Sequence, residues 1–175
     1  MKYKEYEQFV INYKPFEWEI RDYDFRETLR AKHSFLMSFI RFYKVNNYLD
    51  ILLNEKKLKN PKIVDVGSFP GNMVFLTKKI FTNISEYYSV GLDLDQKFIE
   101  KMKELNVGCI NTEIDPKFPE PKKTVDWNLK NFDICYLLDT IEHLVDPTFC
   151  LDQINKTLKI GGTFGLFPFL SISAI

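Results

Sequence analysis

Two glycines and two acids near the middle of the chain have the types and spacing of a small-molecule site. Asp65 lies in the apolar run Ile63–Val66, and Gly67 and Gly71 follow it. Glycine adopts positive φ and lets a ligand approach the backbone, and the helical pattern after Gly71 would begin with unpaired N–H groups. Asp93 ends a second apolar run, where a carboxylate can accept two hydrogen bonds from a ribose diol.

The turn after Asp65 does not match the common phosphate-binding patterns. A nicotinamide-binding turn needs three glycines as G-x-G-x-x-G, and Phe69 occupies the place of the middle one. The Gly-Lys-Ser/Thr ending of a P-loop is also absent. A carboxylate beside the turn repels pyrophosphate but pairs with an ammonium or sulfonium group. The turn therefore favours a cationic ligand without phosphate and disfavours a nicotinamide-dependent oxidoreductase.

Asp93 has an alternative role as a helix cap. Asp93 and Asp95 both precede a helical pattern that begins at Gln96, and aspartate is a favoured N-cap residue. We expect Asp95 to cap the helix, which leaves Asp93 for the ligand.

The elements that must position these residues alternate between helix and strand. Helical periodicity predicts helices over 26–44, 47–57, 72–81 and 96–105, and another from 146 that is capped by Gly161 and Gly162. Apolar runs predict strands over 63–66, 87–94, 108–112, 132–138 and 163–167. This order predicts an α/β fold, a Rossmann-like, doubly wound, mostly parallel sheet with helices on both faces. An N-terminal aromatic arm and helices, 1–60, would precede the Rossmann-like domain, 61–175.

Composition narrows the class of protein further. The 175 residues carry a formal net charge of zero, which argues against a nucleic-acid partner held by electrostatics. The three cysteines are far apart and fit neither a disulfide framework nor a metal site, so we expect reduced core cysteines in a cytoplasmic protein. The first residues lack the apolar run of a signal peptide, and no stretch predicts a membrane span.

Four motifs, in order along the chain, resemble those of the class I S-adenosylmethionine-dependent methyltransferases. Val-Asp-Val-Gly-Ser-Phe-Pro-Gly (64–71) is similar to the family's first motif, and Gly-Leu-Asp-Leu-Asp (91–95) to its ribose-binding motif. Residues 132–147 resemble the fourth-strand motif of the subgroup that methylates small molecules and sugars. Residues 158–168 resemble the Leu-Lys-Pro-Gly-Gly turn that precedes the fifth strand.

The resemblance implies S-adenosyl-L-methionine as cofactor and in-line methyl transfer to a small molecule or sugar. Asp65 and the Gly67 backbone would face the methionine part, and Asp93 would bind the ribose. Leu94 would line the adenine, and Glu113 would meet the adenine amino group, with Ile114 beside it and Asn111 nearby. The implied cofactor residues are Asp65, Gly67, Ser68, Phe69, Pro70, Gly71, Asp93, Leu94, Glu113, Ile114 and Leu138.

Catalysis would need little from the protein beyond positioning. Leu138 and Asp139 would lie next to the sulfonium and the substrate. If the acceptor is a hydroxyl, a general base helps, and His143 and Asp139 are the candidates just after the fourth strand. The alternative is that His143 is a structural residue that ties its turn to the backbone, as lone histidines more often do. The arm 1–30 and the loop 114–130 are expected to form a substrate lid.

The family's sheet normally has seven strands, and this chain ends soon after the fifth. The sequence therefore predicts a sheet truncated after that strand, with an exposed apolar edge. We expect either a fragment of a longer protein or a natural short form; alternatively, the N-terminal arm or a homodimer partner would cover the edge. An alternative function follows from the same feature. The chain could be a catalytically incomplete module that binds S-adenosylmethionine or a partner protein.

Overall fold

A computed structural model of the protein describes residues 4–5, 29–68, 71–91, 94, 96–115 and 125–167, with the backbone alone for 29–39. The chain divides into two compact units, Met1–Lys59 with Phe75–Thr82, and Asn60–Val74 with Asn83–Ile175. No helix in the described part of the chain is long and apolar enough to cross a membrane.

The first unit contains one long helix, α1, over Leu29–Glu55. The prediction of two helices separated near residue 45 is therefore wrong. The segment contains no glycine or proline to stop the helix. Asn46 is accommodated because its side-chain amide donates to the Phe42 carbonyl at 3.0 Å, one turn back, and its Oδ1 accepts from the Thr77 hydroxyl at 2.9 Å. The asparagine is thus a buried polar contact of the helix and not its end.

Within the described residues, the second unit is built on a five-stranded, all-parallel sheet of order β3-β2-β1-β4-β5. The strands are β1 Lys62–Val66, β2 Glu86–Gly91, β3 Gly108–Asn111, β4 Phe132–Leu138 and β5 Leu158–Phe167. The helices are α2 Asn72–Ile80, which both units share, α3 Gln96–Glu104 and α4 Thr148–Thr157, with a 3-10 turn over Ile141–His143. The alternating βα order and parallel pairing confirm the predicted Rossmann-like fold.

The last crossover differs from its prediction. Gly161 and Gly162 do not cap α4, which ends at Thr157 and leads directly into β5. The register shifts between Phe132 and Ile134, so that residues 159–162 bulge from β5 before pairing resumes at Thr163. Gly161 has φ +74°, a conformation that glycine adopts at bulges. The two glycines therefore fit a bulge in the strand and not a helix end.

One face of the sheet packs on an apolar core. The cluster consists of Val64, Val66, Val90, Trp127, Phe132, Cys135, Leu137, Cys150 and Ile154, all buried. Cys150 and Ile154 come from α4, so this helix covers the face. We call this side of the sheet the apolar face. Side chains alternate along a strand, so Asp65, Tyr87, Ser89 and Tyr136 belong to the opposite side, which we call the polar face.

Candidate active site

The carboxyl ends of the strands are held together by backbone hydrogen bonds just past the sheet. The Gly67 amide donates to the Val90 carbonyl at 2.8 Å, and the Thr112 amide donates to the Gly91 carbonyl at 2.8 Å. The order of strands reverses at β1, whose neighbours are β2 on one side and β4 on the other. Ligands of open α/β sheets bind in the crevice at such a switch point. The predicted glycine turn begins there.

Both glycines of the turn adopt a conformation that other residues avoid. Gly67 has φ +76° and Gly71 has φ +94°. A Cβ at Gly67 would lie 2.2 Å from the Thr140 hydroxyl oxygen, and one at Gly71 would lie 2.9 Å from the Phe98 ring. Glycine is thus needed at position 67 for two reasons. The backbone has a positive φ, and the loop after β4 passes so close that a Cβ would clash with it.

Ser68 serves to fix the turn. Its hydroxyl is buried and hydrogen-bonds to the Ser89 hydroxyl on β2. Its carbonyl accepts from the Gly71 amide at 2.7 Å, which closes the turn. The side chain is therefore engaged within the protein. Phe69 and Pro70, which the sequence also assigned to the turn, lie outside the described residues.

Asp65 is a buried carboxylate on the polar face, 1% exposed. Burial raises its pKa well above the ordinary value, whereas hydrogen bonds from the Tyr136 and Tyr87 hydroxyls lower it. Its Oδ2 is buried and has no hydrogen-bond partner among the residues that the structure describes. A buried carboxylate oxygen without a donor is costly, so this atom is suited to a cationic or hydrogen-bond-donating group of a ligand.

The ends of β2 and β3 carry the residues predicted for the adenine. Leu94 is buried, and its amide donates to the Asn111 Oδ1 at 3.3 Å. Glu113 is buried at 5% exposure, and its Oε1 accepts from the Asp115 amide at 3.2 Å. Ile114 lies half-buried between the two acids. Asp93, the predicted ribose ligand, lies outside the described residues.

The end of β4 carries the predicted catalytic residues. Leu138 is half-buried, and Asp139 follows it with φ +50°, a conformation that non-glycine residues adopt rarely and mostly at turns or functional sites. The Asp139 amide donates to the Phe167 carbonyl at 2.9 Å. His143 ends the 3-10 turn, and its side chain is exposed. Asp139 is therefore held at the edge of the sheet, whereas His143 faces solvent.

Four residues at this edge were not predicted from the sequence. Tyr87 and Tyr136 bind Asp65, but only the strand register brings them together. Thr140 caps the end of β1 by donating to the Val66 carbonyl at 3.3 Å or the Leu138 carbonyl at 2.9 Å. Asp115 accepts from the Val145 amide and so ties the end of β3 to the loop after β4. The only advance signal was the polar character of Tyr87 and Tyr136 within buried strands.

The sequence matches a known protein family. A family model described as "Methyltransferase domain" matches residues 64–166. The ubiquinone biosynthesis O-methyltransferase of Pelagibacter ubique (strain HTCC1062) is 29% identical over 132 residues, which cover 74% of this chain and 52% of that protein. The chain thus spans about half the length of this curated relative.

Solved structures resemble the fold at low sequence identity. A protein described as a sarcosine dimethylglycine methyltransferase from Galdieria sulphuraria has a TM-score of 0.53 and 12% identity, over 78% of this chain and 48% of that one. An O-methyltransferase-like protein from Nostoc punctiforme PCC 73102 has a TM-score of 0.52 and 18% identity, over 73% and 37%. The family model covers more than half of the residues and confirms the resemblance seen in the motifs. The chain belongs to the methyltransferase domain family, within the class I S-adenosylmethionine-dependent methyltransferases.

Proposed function

We propose that this chain binds S-adenosyl-L-methionine at the carboxyl edge of its sheet and directs methyl transfer to a small molecule or a sugar. The observation that carries the proposal is the buried carboxylate of Asp65, whose Oδ2 has no hydrogen-bond partner among the described residues, just before a turn built on two glycines with positive φ. When bound, S-adenosylmethionine supplies a methyl group on a positively charged sulfur. The cofactor combines a cation with a nucleoside and has no phosphate.

The residues of β1 and its turn suit the amino-acid part of such a ligand. An ammonium group beside Asp65 would favour the charged form of its carboxylate, which burial alone disfavours. The Gly67 amide already donates to the Val90 carbonyl. We therefore expect the Gly67 carbonyl, and not its amide, to accept a hydrogen bond from the ammonium group of the ligand. Ser68 and Gly71 hold the shape of the turn, and Phe69 and Pro70 complete it in the sequence. The strand thus supplies a charged side chain for the ligand, and the turn supplies the backbone shape around it.

The nucleoside part would lie over the ends of β2 and β3. Leu94 supplies a buried apolar surface for adenine, and Glu113 supplies a carboxylate for its amino group, with Ile114 beside it. Asp93 is proposed for the ribose hydroxyls, from its place two residues after β2. In this arrangement the carboxylate of Asp65 would bind the amino-acid part of the ligand, and that of Glu113 would bind the adenine.

The acceptor would approach beside Leu138 and Asp139 at the end of β4. Effective positioning of two reactants supplies most of the rate of such a displacement. For a hydroxyl acceptor, Asp139 or His143 would take the proton. The fixed backbone of Asp139 supports a role in orienting the acceptor, and the exposure of His143 supports proton exchange with solvent.

Location and assembly belong to the same proposal. All three cysteines are free, which supports a reducing, cytoplasmic compartment. Phe164 and Leu166 are 37% and 43% exposed on β5, at one edge of the described sheet. These apolar side chains support a homodimer, or a covering segment, along that edge.

Titration calorimetry with S-adenosylmethionine and with S-adenosylhomocysteine tests the binding step. We expect both to bind in the micromolar range, and no heat from either at high micromolar protein would overturn the proposal. Turnover is measured separately, as S-adenosylhomocysteine formed with a panel of acceptors. Hydroxyl acceptors come first in the panel, because the Pelagibacter relative is an O-methyltransferase. Binding without turnover on any acceptor would instead favour the alternative of a binding module.

A further inference from the structure

Three buried polar side chains meet on the polar face below the glycine turn. Asp65 and Tyr136 are register partners on β1 and β4, and Tyr87 lies opposite Ile63 on β2. Asp65 and Tyr87 are each 1% exposed, and Tyr136 is fully buried. The two phenol hydroxyls hydrogen-bond to each other, and each can also donate to the Asp65 carboxylate. While Asp65 is ionised, the two hydroxyl protons make two of these three bonds at a time. Three strands therefore each contribute one member of a closed polar cluster.

The cluster is expensive for a protein to build. A buried carboxylate or hydroxyl costs free energy unless hydrogen bonds compensate it. The apolar face of the same strands shows that this chain can fill a sheet with Val, Leu and Cys. Phenylalanine would supply the same ring at both tyrosine positions without a buried hydroxyl. The hydroxyls therefore serve the carboxylate.

The hydrogen bonds act on Asp65 in two ways. They favour its charged form against the cost of burial. They also restrict rotation of the carboxylate, because a hydroxyl donor on a neighbouring strand holds it. The Oδ2 atom still has no partner among the described residues. The cluster thus presents one oriented acceptor at the strand that leads into the turn.

We propose that Tyr87 and Tyr136 are positioning residues that hold the Asp65 carboxylate for the cationic amino-acid end of the bound ligand. The inference rests on the proposed function, since it assumes a ligand of the S-adenosylmethionine type. It goes further by naming two residues that do not touch the ligand and by naming the part of the ligand that they affect. A role in folding alone would affect every ligand equally.

Two probes that differ only at the amino-acid end separate these two roles. S-adenosylhomocysteine carries the amino acid, whereas 5′-methylthioadenosine keeps the nucleoside and the sulfur but lacks the amino acid. Affinities of both are measured by calorimetry for the native protein, Tyr87→Phe and Tyr136→Phe. Tyr88→Phe is the matched control, because Tyr88 neighbours Tyr87 on β2 but lies on the apolar face. Its ring packs edge-to-face with that of Phe132, with the ring centroids 5.8 Å apart.

We expect Tyr136→Phe to weaken binding of S-adenosylhomocysteine roughly tenfold to a hundredfold, the range for a hydrogen bond to a charged group. Tyr87→Phe should act in the same direction. Binding of 5′-methylthioadenosine should change by less than about twofold in both variants, and Tyr88→Phe should change neither affinity. The double variant should lose less than the product of the two single effects, because both hydroxyls act on one carboxylate.

Each other outcome overturns the inference. Equal losses for the two probes would assign the tyrosines to folding, and unchanged affinity for S-adenosylhomocysteine would show that the carboxylate does not need them. Thermal denaturation shows whether each variant is folded. If one tyrosine variant is not folded, the affinities of the other variant for the two probes decide in the same way. Failure of the native protein to bind S-adenosylhomocysteine would refute the proposed function itself, an outcome visible before any variant is made.

Discussion

The two faces of the sheet are equally well buried, but the polar face combines apolar side chains such as Ile63 and Ile134 with a buried carboxylate and two buried tyrosines. On the apolar face, Val64 and Cys135 are fully buried among aliphatic and aromatic side chains. On the polar face, Asp65 and Tyr136 occupy neighbouring positions on the same two strands and are at most 1% exposed. Burial of apolar surface stabilises a fold by about 25 cal/mol per Å², whereas burial of a carboxylate opposes folding.

Burial alone therefore does not identify the role of a strand position. We expect substitutions on the apolar face to change stability and to leave the intrinsic affinity for the cofactor unaltered. Substitutions in the polar cluster of Asp65, Tyr87 and Tyr136 should instead lower this affinity, and neutralising the buried carboxylate should raise stability, because functional sites commonly sacrifice stability for a prearranged charge.

The largest effect is expected from Ile154→Ala on the apolar face. Ile154 is 2% exposed on α4 and packs in the apolar cluster. Removing its side chain leaves a cavity and should lower the free energy of unfolding by about 2–5 kcal/mol. Urea denaturation of the native and variant proteins measures the change.

Ile160→Ala is the matched control, since Ile160 is fully exposed in the β5 bulge. It removes the same atoms and should change stability by less than about 0.5 kcal/mol. At a temperature where it is folded, Ile154→Ala should bind S-adenosylhomocysteine as the native protein does. A loss of affinity much larger than the unfolded fraction explains would break the division between the faces.

Prediction from the sequence succeeded where local patterns decide the structure and failed where contacts between distant residues decide it. Local patterns located β4 at 132–138, and the structure has Phe132–Leu138. Predictions failed where the deciding contacts are not local. Asn46, within α1, accepts from Thr77, a contact 31 residues away that the sequence does not show. The glycines at 161 and 162 were predicted as a helix cap because a strand bulge is visible only from register. Asp65 was predicted as a site residue from its turn, and stays a prediction; its partners Tyr87 and Tyr136 are visible only from the pairing of three strands.

An intermediate effect is expected at the turn above β1 from Gly67→Ala. The new Cβ meets a left-handed φ of +76° and the Thr140 side chain at 2.2 Å. Strain of this kind costs about 1–3 kcal/mol, and the contact with Thr140 adds to it. The variant should therefore be less stable in thermal denaturation and should bind S-adenosylhomocysteine more weakly, because the displaced loop lies at the site.

Gly161→Ala separates the two contributions. Gly161 has a similar φ of +74°, but a Cβ there would meet no atom within 4 Å. This variant should lose about 1–2 kcal/mol of unfolding free energy, the cost of a left-handed backbone conformation alone. Equal destabilisation by the two substitutions would show that Thr140 moves away freely and that the tight crossing over β1 is not needed.

The smallest effect, and the one that tests the cost of the polar face directly, is the pH dependence of stability in Asp65→Asn. Burial raises the pKa of Asp65 in the folded state, so the folded protein binds more protons than the unfolded chain at pH values between the two pKa values. Stability then falls as pH rises through that window. The window opens near pH 4, where an unfolded aspartate titrates, and closes above the raised pKa of the folded state. Each tenfold difference between the two acid constants is worth about 1.4 kcal/mol.

The asparagine side chain of this variant cannot ionise, so the stability advantage of Asp65→Asn over the native protein should be absent below about pH 4 and should grow toward neutral pH. Thermal denaturation across this range measures it, and affinity for S-adenosylhomocysteine should fall at neutral pH in the same variant. Parallel stability curves would mean that the hydroxyls of Tyr87 and Tyr136 fully offset the burial of the charge. In that case the two faces would differ in chemistry but not in energetic cost, and the polar face would have to be regarded as a core that happens to contain a charge.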